Sequence, residues 1–425
     1  MKKMKKGNDK MLNPNTGERE LAYVVKIDSI EPIPGRDRVE CAKVGGWTIM
    51  VRKDQFKPGD LGIYFEIDSK VPAKEPFMFL EGKHFKIKTQ KYKTPNGQFW
   101  SQGLLMAAED FGWRIVENGT AMAKENGDSF ELGDFLTKEL GVVYADPEDN
   151  SRKSKSSVDK YQKMAQRMGK KFSKQPYRWL MKRTWGKKLL FFFYGKKKDS
   201  KAWPEWVVKT DEERVQNMPW ILEDKSEWFA TEKIDGTSTT FTMKGWGRKR
   251  EFFICSRNVC FNTPEKMEAG AWYDTNVYQE MGIKYDIENV LAILMEYFDN
   301  IGTSAVDFVT LQGETYGAGI QKRDYSLTDH DFMAFNVIVK YEGEAPRRLN
   351  PREMTDLLAD YGVPCVPIVD EHFVMPDTVD ELLTIATDAS KVDGGMREGL
   401  VFRSVDGAKS FKAVSNEFLM KYHNG

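Results

Sequence analysis

From Leu21 to about Tyr144 the apolar positions come in short bursts. LAYVVKIDSIEPI, WTIMVRK, LGIYFEI and HFKIKTQKY alternate apolar with polar residues or are rich in β-branched ones, the period-two signature of strands. Turn signals fall between them at Pro34-Gly35, Gly45-Gly46, Pro58-Gly59 and Asn96-Gly97. Several short strands at close spacing predict a small barrel of the OB type, with a small β-sandwich as the plain alternative.

From Trp203 onward the pattern is mixed. WFATEKIDGTSTTFTM, REFFICSRN, DFVTLQGETYG, DFMAFNVIV and GLVFRSV read as strands. NPREMTDLLADYG and TVDELLTIATDAS read as helices with polar starts. No internal repeat is visible. The expected fold class is α+β. A flexible N-terminus over residues 1–20 precedes an OB-like domain over 21–145, a basic linker or arm over 146–202, and a second domain over 203–425 with a large antiparallel sheet component.

Composition changes this picture little, because 40% apolar residues suffice for sizeable cores and the 64 basic residues balance the 64 acidic ones. The distribution of charge says more. Residues 151–200 hold 17 Lys/Arg against two acids, Asp159 and Asp199. The stretch is also rich in aromatics, as in YRWLMKRTWGKKLLFFFYGKKK. It reads either as a nucleic-acid arm, cations for phosphates and rings for stacking, or as a solvated helix whose rings pack on a neighbour. The cysteines, Cys41, Cys255, Cys260 and Cys365, form no C-x-x-C pair, which argues against a zinc site and against a disulfide framework. The basic start MKKMKKGNDKML lacks the apolar segment of a secretory signal. The longest apolar run, Leu189 to Tyr194, is far too short to span a bilayer. The expectation is a soluble, cytoplasmic protein in a reducing compartment, with no membrane partner.

The candidate chemistry starts at Lys233-Ile234-Asp235-Gly236. A lysine attacks phosphorus only as a neutral amine, and burial or a bound cation can lower its pKa. Asp235, two residues on, falls on the same side of a strand as Lys233. Gly236 lets the backbone come close to a ligand. Alone, K-x-D-G is a weak signal. It gains weight from the motifs that succeed it in order. Ser256-Arg257-Asn258 comes first, then Gln312-Gly313-Glu314 with Gly317 and Gly319, then Asp331 to Asn336. Glu398-Gly399-Leu400-Val401-Phe402-Arg403 comes next, and last Ser410-Phe411-Lys412.

This ordered series resembles the motifs of the covalent nucleotidyltransferase superfamily of RNA ligases, DNA ligases and mRNA-capping enzymes. The block VVKIDSIEPIPGRDRVECAKVGGWTIMVRKDQFKPGDLGIYFEIDS, the later SQGLL, KTDEERVQN over 209–217 and GETYGAGIQ narrow it. Together they are similar to the ATP-dependent RNA ligase family with an N-terminal OB domain and a C-terminal adenylyltransferase domain, the Deinococcus and Naegleria type. The resemblance covers nearly the whole chain.

It implies sealing of RNA 3′-hydroxyl and 5′-phosphate ends, by way of a lysyl-AMP and an adenylylated 5′-end. The implied partners are ATP, Mg²⁺ or Mn²⁺ and RNA, taken as a nicked duplex, and the implied state is a monomer. The implied roles are Lys233 as nucleophile with Asp235 beside it, and Glu232 at the adenine edge. Arg257 and Asn258 would meet the phosphate and ribose, Glu314 the ribose hydroxyls, and Phe335 the adenine face. Glu398 would bind metal, directly or through water, and Lys412 the α-phosphate. Oxygen donors suit such metals, and cationic clamps suit phosphoryl transfer. The chain departs from the family's K-x-K in the last motif, where Ser410 and Val414 flank Lys412 at that spacing. Because the barrel-like block comes first, the order favours RNA ligase over DNA ligase or capping guanylyltransferase. A non-catalytic nucleic-acid-binding protein is the alternative of another class, and the retained lysine and carboxylates argue against it.

Overall fold

The computed structural model describes residues 19–95, 97–116, 119–145, 177–194, 200–201, 203–204, 206–257, 259–261 and 276–423. The N-terminal region is built on a pair of three-stranded antiparallel sheets. One joins Ala22–Lys26, Leu61–Phe65 and Leu104–Met106, and the other joins Ser29–Pro32, Val39–Val44 and Trp47–Arg52. Strand Ala22–Lys26 is buried on both faces. Ala22 and Val24 enter a cluster with Phe65, Phe77 and Leu136, while Tyr23 and Val25 enter another with Trp47, Ile49 and Tyr64. In a barrel strand inward and outward side chains alternate, and here each set is covered by its own cluster. Val414 and Leu419, from the far end of the chain, complete the second cluster.

The C-terminal region is built on two larger antiparallel sheets. A seven-stranded sheet contains Thr237–Lys244, Glu251–Cys255, Val306–Gly317 and His330–Tyr341 at its centre. Helix Ile287–Ile301 packs Leu291, Leu294, Met295 and Phe298 against it. A four-stranded sheet runs Ile368–Val374, Glu227–Lys233, Gly399–Ser404, Ser410–Val414, and is covered by helix Val379–Ala386 through Leu382, Leu383 and Ala386.

Both helices expected from their polar starts form with capping boxes. Asn350 accepts from Glu353 N ahead of Pro351–Ala359, and Thr378 accepts from Glu381 N ahead of Val379–Ala386. Helix Ile287–Ile301 is absent from the expectations. In the basic stretch, Tyr177–Met181 and Thr184–Tyr194 are helical, with Trp179 and Trp185 exposed and their rings 5.8 Å apart, edge to face. Residues 146–176 of that stretch lie outside the described residues. Arg19 and Glu20, which the expectation put in a flexible N-terminus, are held in the fold: both are buried or nearly so, and Arg19 is paired with Glu66 at 2.6 Å. Among the described residues no helix is long and apolar enough to cross a membrane.

Candidate active site

Strand Glu227–Lys233 ends at a cleft between the two larger sheets, and Lys233 is its last residue. The chain then turns through Ile234 and Asp235 and enters the other sheet at Thr237. Gly236 sits in that turn. A Cβ there would lie 2.3 Å from the carbonyl oxygen of Thr315, so glycine is required by the approach of a neighbouring strand. The expectation gave that approach to a ligand instead. The cleft encloses about 650 Å³, enough for a nucleotide-sized molecule.

Lys233 Nζ donates to Glu398 Oε2 at 2.7 Å. Glu398 is positioned by the register that sets Gly399 opposite Lys233 across the sheet. Glu314 arrives from strand Val306–Gly317, opposite Ser238. Asp235 presents Oδ1 to His423 Nε2 at 3.3 Å, while its buried Oδ2 has no hydrogen-bond partner among the described residues. Three carboxyl groups thus surround one ammonium. Burial alone would pull Lys233 down, but Glu398, Glu314 and Asp235 outweigh it and leave it above the ordinary lysine value. The lowering expected from burial is therefore outweighed by these acids. Burial, then the neighbouring acids, pushes Glu314 up to about 8 and Glu398 also upward.

Cations line the same cleft. Lys412, on strand Ser410–Val414, is pulled down to about 7 by burial first and then by Arg19, Arg214 and Lys233. Its ammonium forms no ion pair among the described residues. Arg257 is held by both oxygens of Asp211, at 2.8 and 3.0 Å, and lies over the Tyr144 ring at 5.0 Å. Phe335 is half-buried at the cleft wall and packs on the cluster of Ile234, Tyr316, Tyr325 and Val366. Glu232, one residue before the lysine, points the opposite way along the strand. Its carboxylate is taken by Ser390 Oγ and by Lys391 N, at 2.7 Å for the latter. Asn258 lies outside the described residues. The others in the expected set, Lys233, Asp235, Arg257, Glu314, Phe335, Glu398, Lys412 and the edge of Glu232, line one cleft.

Sequence reasoning missed several groups there. Arg19, Asp68 and Tyr144 reach the cleft from the N-terminal region, and His423 reaches it from the chain's far end. Each is a lone residue without local pattern, so no spacing signal could have found it. Segment 209–217 carries some of the resemblance, and the structure explains why it is so polar. Asp211 holds Arg257, Glu212 meets Arg403 at 3.8 Å, Arg214 meets Asp68 at 3.0 Å, and Glu213 O accepts from Lys412 N at 2.7 Å. Asn217 completes the boundary: it donates to Glu66 Oε1 and Glu213 Oε1, both at 2.7 Å, and accepts from Trp47 Nε1 at 2.6 Å.

Known proteins share this fold. A family model described as RNA ligase matches residues 226–423, and an OB-fold domain model matches residues 21–107. No curated protein matches the chain. Among solved structures, the Naegleria gruberi RNA ligase with PPi is similar at 26% identity, covering 96% of this chain and 100% of its own, with a TM-score of 0.67. A lysine-to-alanine variant of that ligase with ATP and Mn matches at 26% identity over 96% of this chain and 98% of its own, TM-score 0.65. A glutamate-to-alanine variant with AMP and Mn matches at 26% over 96% and 100%, TM-score 0.66. The leading OB fold and the α+β class expected from the sequence agree with the OB-fold match over residues 21–107 and with the antiparallel sheets of the structure. This chain therefore carries an OB-fold domain over residues 21–107 followed by an RNA ligase domain over residues 226–423.

Proposed function

We propose that the protein is an ATP-dependent RNA ligase that seals 3′-hydroxyl to 5′-phosphate ends, with Lys233 as the residue that carries AMP. One observation supports this most. A lysine amine is held among three carboxyls and shares its sheet and cleft with a buried lysine that has no ion pair among the described residues. In the first step Lys233 Nζ attacks the α-phosphorus of ATP. An N–P bond forms, the bond to the pyrophosphate oxygen breaks, and the lysine gives up a proton. Phe335 stacks on the adenine, Glu314 holds the ribose hydroxyls, and Lys412 with Arg257 and Asn258 neutralises charge on the phosphate and ribose side. AMP then passes to the RNA 5′-phosphate, and the 3′-hydroxyl displaces it. The Naegleria structures with ATP, AMP and Mn support this choice of nucleotide.

The donor set suits a hard divalent cation. Glu398 and Asp235 offer oxygens only, and the buried Oδ2 of Asp235 has no hydrogen-bond partner among the described residues, which suits an oxygen-seeking cation. The Lys233 ammonium stands against Glu398 where positive charge is wanted. Glu398, with Asp235 beside it, would hold Mg²⁺ or Mn²⁺, which supplies charge neutralisation for the triphosphate. A cation held by Glu398 would take that carboxylate from Lys233 and so favour the neutral amine. Excess EDTA is therefore expected to stop uptake of label from ATP radiolabelled on the α-phosphate. Glu398→Ala is expected to cut it roughly tenfold or more at saturating ATP. Undiminished labelling in EDTA contradicts the metal assignment. The test of the whole reading is a pair of measurements: covalent label from ATP, then sealing of a nicked RNA duplex. A protein that takes no label and seals nothing is not this enzyme.

A further inference from the structure

From His84 to Gly103 the chain has no Asp or Glu, while Lys86, Lys88, Lys91 and Lys93 fall among Phe85, Tyr92, Phe99 and Trp100. The centre of this stretch is a hairpin, Gln90–Thr94 paired with Gly97–Ser101. Its register sets Lys91 opposite Trp100, Tyr92 opposite Phe99 and Lys93 opposite Gln98. Opposite residues share a face, so Lys91, Lys93, Gln98 and Trp100 lie on one side and Tyr92 and Phe99 on the other. On the first side Lys91 and Lys93 are exposed and Trp100 is half-buried, with Lys91 Nζ 5.0 Å from the indole centroid. On the second, Arg36 covers Tyr92 at 5.5 Å.

The hairpin is not a loose flap. Thr48 Oγ1 donates to Trp100 O at 2.8 Å and Met50 N to Ser101 Oγ at 2.9 Å, tying it to the barrel strand Trp47–Arg52. Its other end leads to the reaction centre. Lys88 Nζ donates to the carbonyl of His423 at 2.9 Å, and His423 Nε2 lies 3.3 Å from Asp235 Oδ1, two residues from Lys233. Lys86 and Lys322 stand near Lys88; after burial, their charge holds its ammonium below the ordinary lysine range. A row of cations therefore runs from the edge of the cleft onto a rigid, acid-free face that carries an indole.

We propose that the Lys91, Lys93 and Trp100 face of this hairpin binds an RNA strand entering the cleft, the lysines against phosphates and the indole against a base. The proposal rests on the ligase reading, and it names where the substrate of that site lies. Charge complementarity selects a polyanion, and cations interleaved with an aromatic ring on one face are the features by which single strands are held without sequence preference. An acidic protein would use the lysines but gain little from the ring.

The test uses the full chain and a fluorescent nicked RNA duplex with a single-stranded extension, its binding followed by anisotropy over a series of KCl concentrations. Lys91→Ser with Lys93→Ser is expected to lower the slope of log K against log salt by roughly 2, at about 0.9 per phosphate contact. Trp100→Ala is expected to weaken binding roughly tenfold with little change of slope, and Trp100→Phe to restore most of it. Label uptake from ATP reports that each variant is folded. Slopes and affinities equal to wild type in labelled variants overturn the proposal. So does an equal loss of affinity for poly-glutamate in Trp100→Ala, which would indicate an acidic protein. Absence of labelling in the wild-type protein would instead overturn the ligase reading and leave RNA binding to be judged from the slopes.

Discussion

Lys233→Ala is expected to abolish covalent uptake of label from ATP, while leaving the protein folded. The side chain ends a strand whose core residues are its neighbours Trp228 and Ala230, so truncation removes little packing. The change does remove the only amine placed among Glu398, Glu314 and Asp235 among the described residues. A nucleophile that forms the covalent intermediate has no substitute in water here, because the step stores the AMP on the protein. The variant should also fail to seal nicks bearing a 5′-phosphate. It should still be able to join a nick already carrying AMP on that phosphate, since that step does not need the amine as nucleophile. Labelling of the variant at the wild-type rate would remove Lys233 from the mechanism.

The second large effect is expected at Asn217. Its amide joins two buried acids and an indole across the boundary between the OB-fold domain and the ligase domain. Glu66 is fully buried and receives Arg19, Tyr23 and Asn217. Asn217→Leu supplies a side chain of comparable length but no polar atom. It leaves carboxylate oxygens of Glu66 and Glu213, and Trp47 Nε1, short of partners inside the molecule. Leaving a buried hydrogen-bonding group unsatisfied costs roughly 1–3 kcal/mol, more for a charged one, which should lower the melting temperature by several degrees. The measurement is thermal unfolding of the full chain. A melting temperature equal to wild type would mean that the boundary is wet and the network contributes nothing. Because Glu213 O also fixes the Lys412 backbone, a loss of labelling rate beyond the loss of folded protein should accompany the change.

The range of each interaction decides whether the sequence reveals or hides it. Strands and capped helices are local, so alternation found Glu227–Lys233 and Thr237–Lys244, and polar starts found Pro351–Ala359 and Val379–Ala386. The cleft residues were legible through ordered motifs, since each motif sits at or near a strand end and the topology gathers those ends. The far partners were hidden. His423 meets Asp235 across 188 positions and Asn217 meets Glu66 across 151, and a single polar residue at such separation leaves no periodicity to read. The protonation of Lys233 escaped the sequence for the same reason. Its strand is visible there, but the burial and the convergence of Glu314 and Glu398, which arrive from other strands, are not.

The ion pair of Lys233 with Glu398 has a consequence outside ligation. An amine held as ammonium is a poor target for the acyl phosphates, thioesters and aldehydes that modify lysines indiscriminately. On the proposed ligase reading, the site would keep this amine chemically silent between turnovers and release it only when its carboxylate neighbours are occupied. Selectivity for the intended electrophile would then be written into the resting site, before any recognition of the base or the sugar.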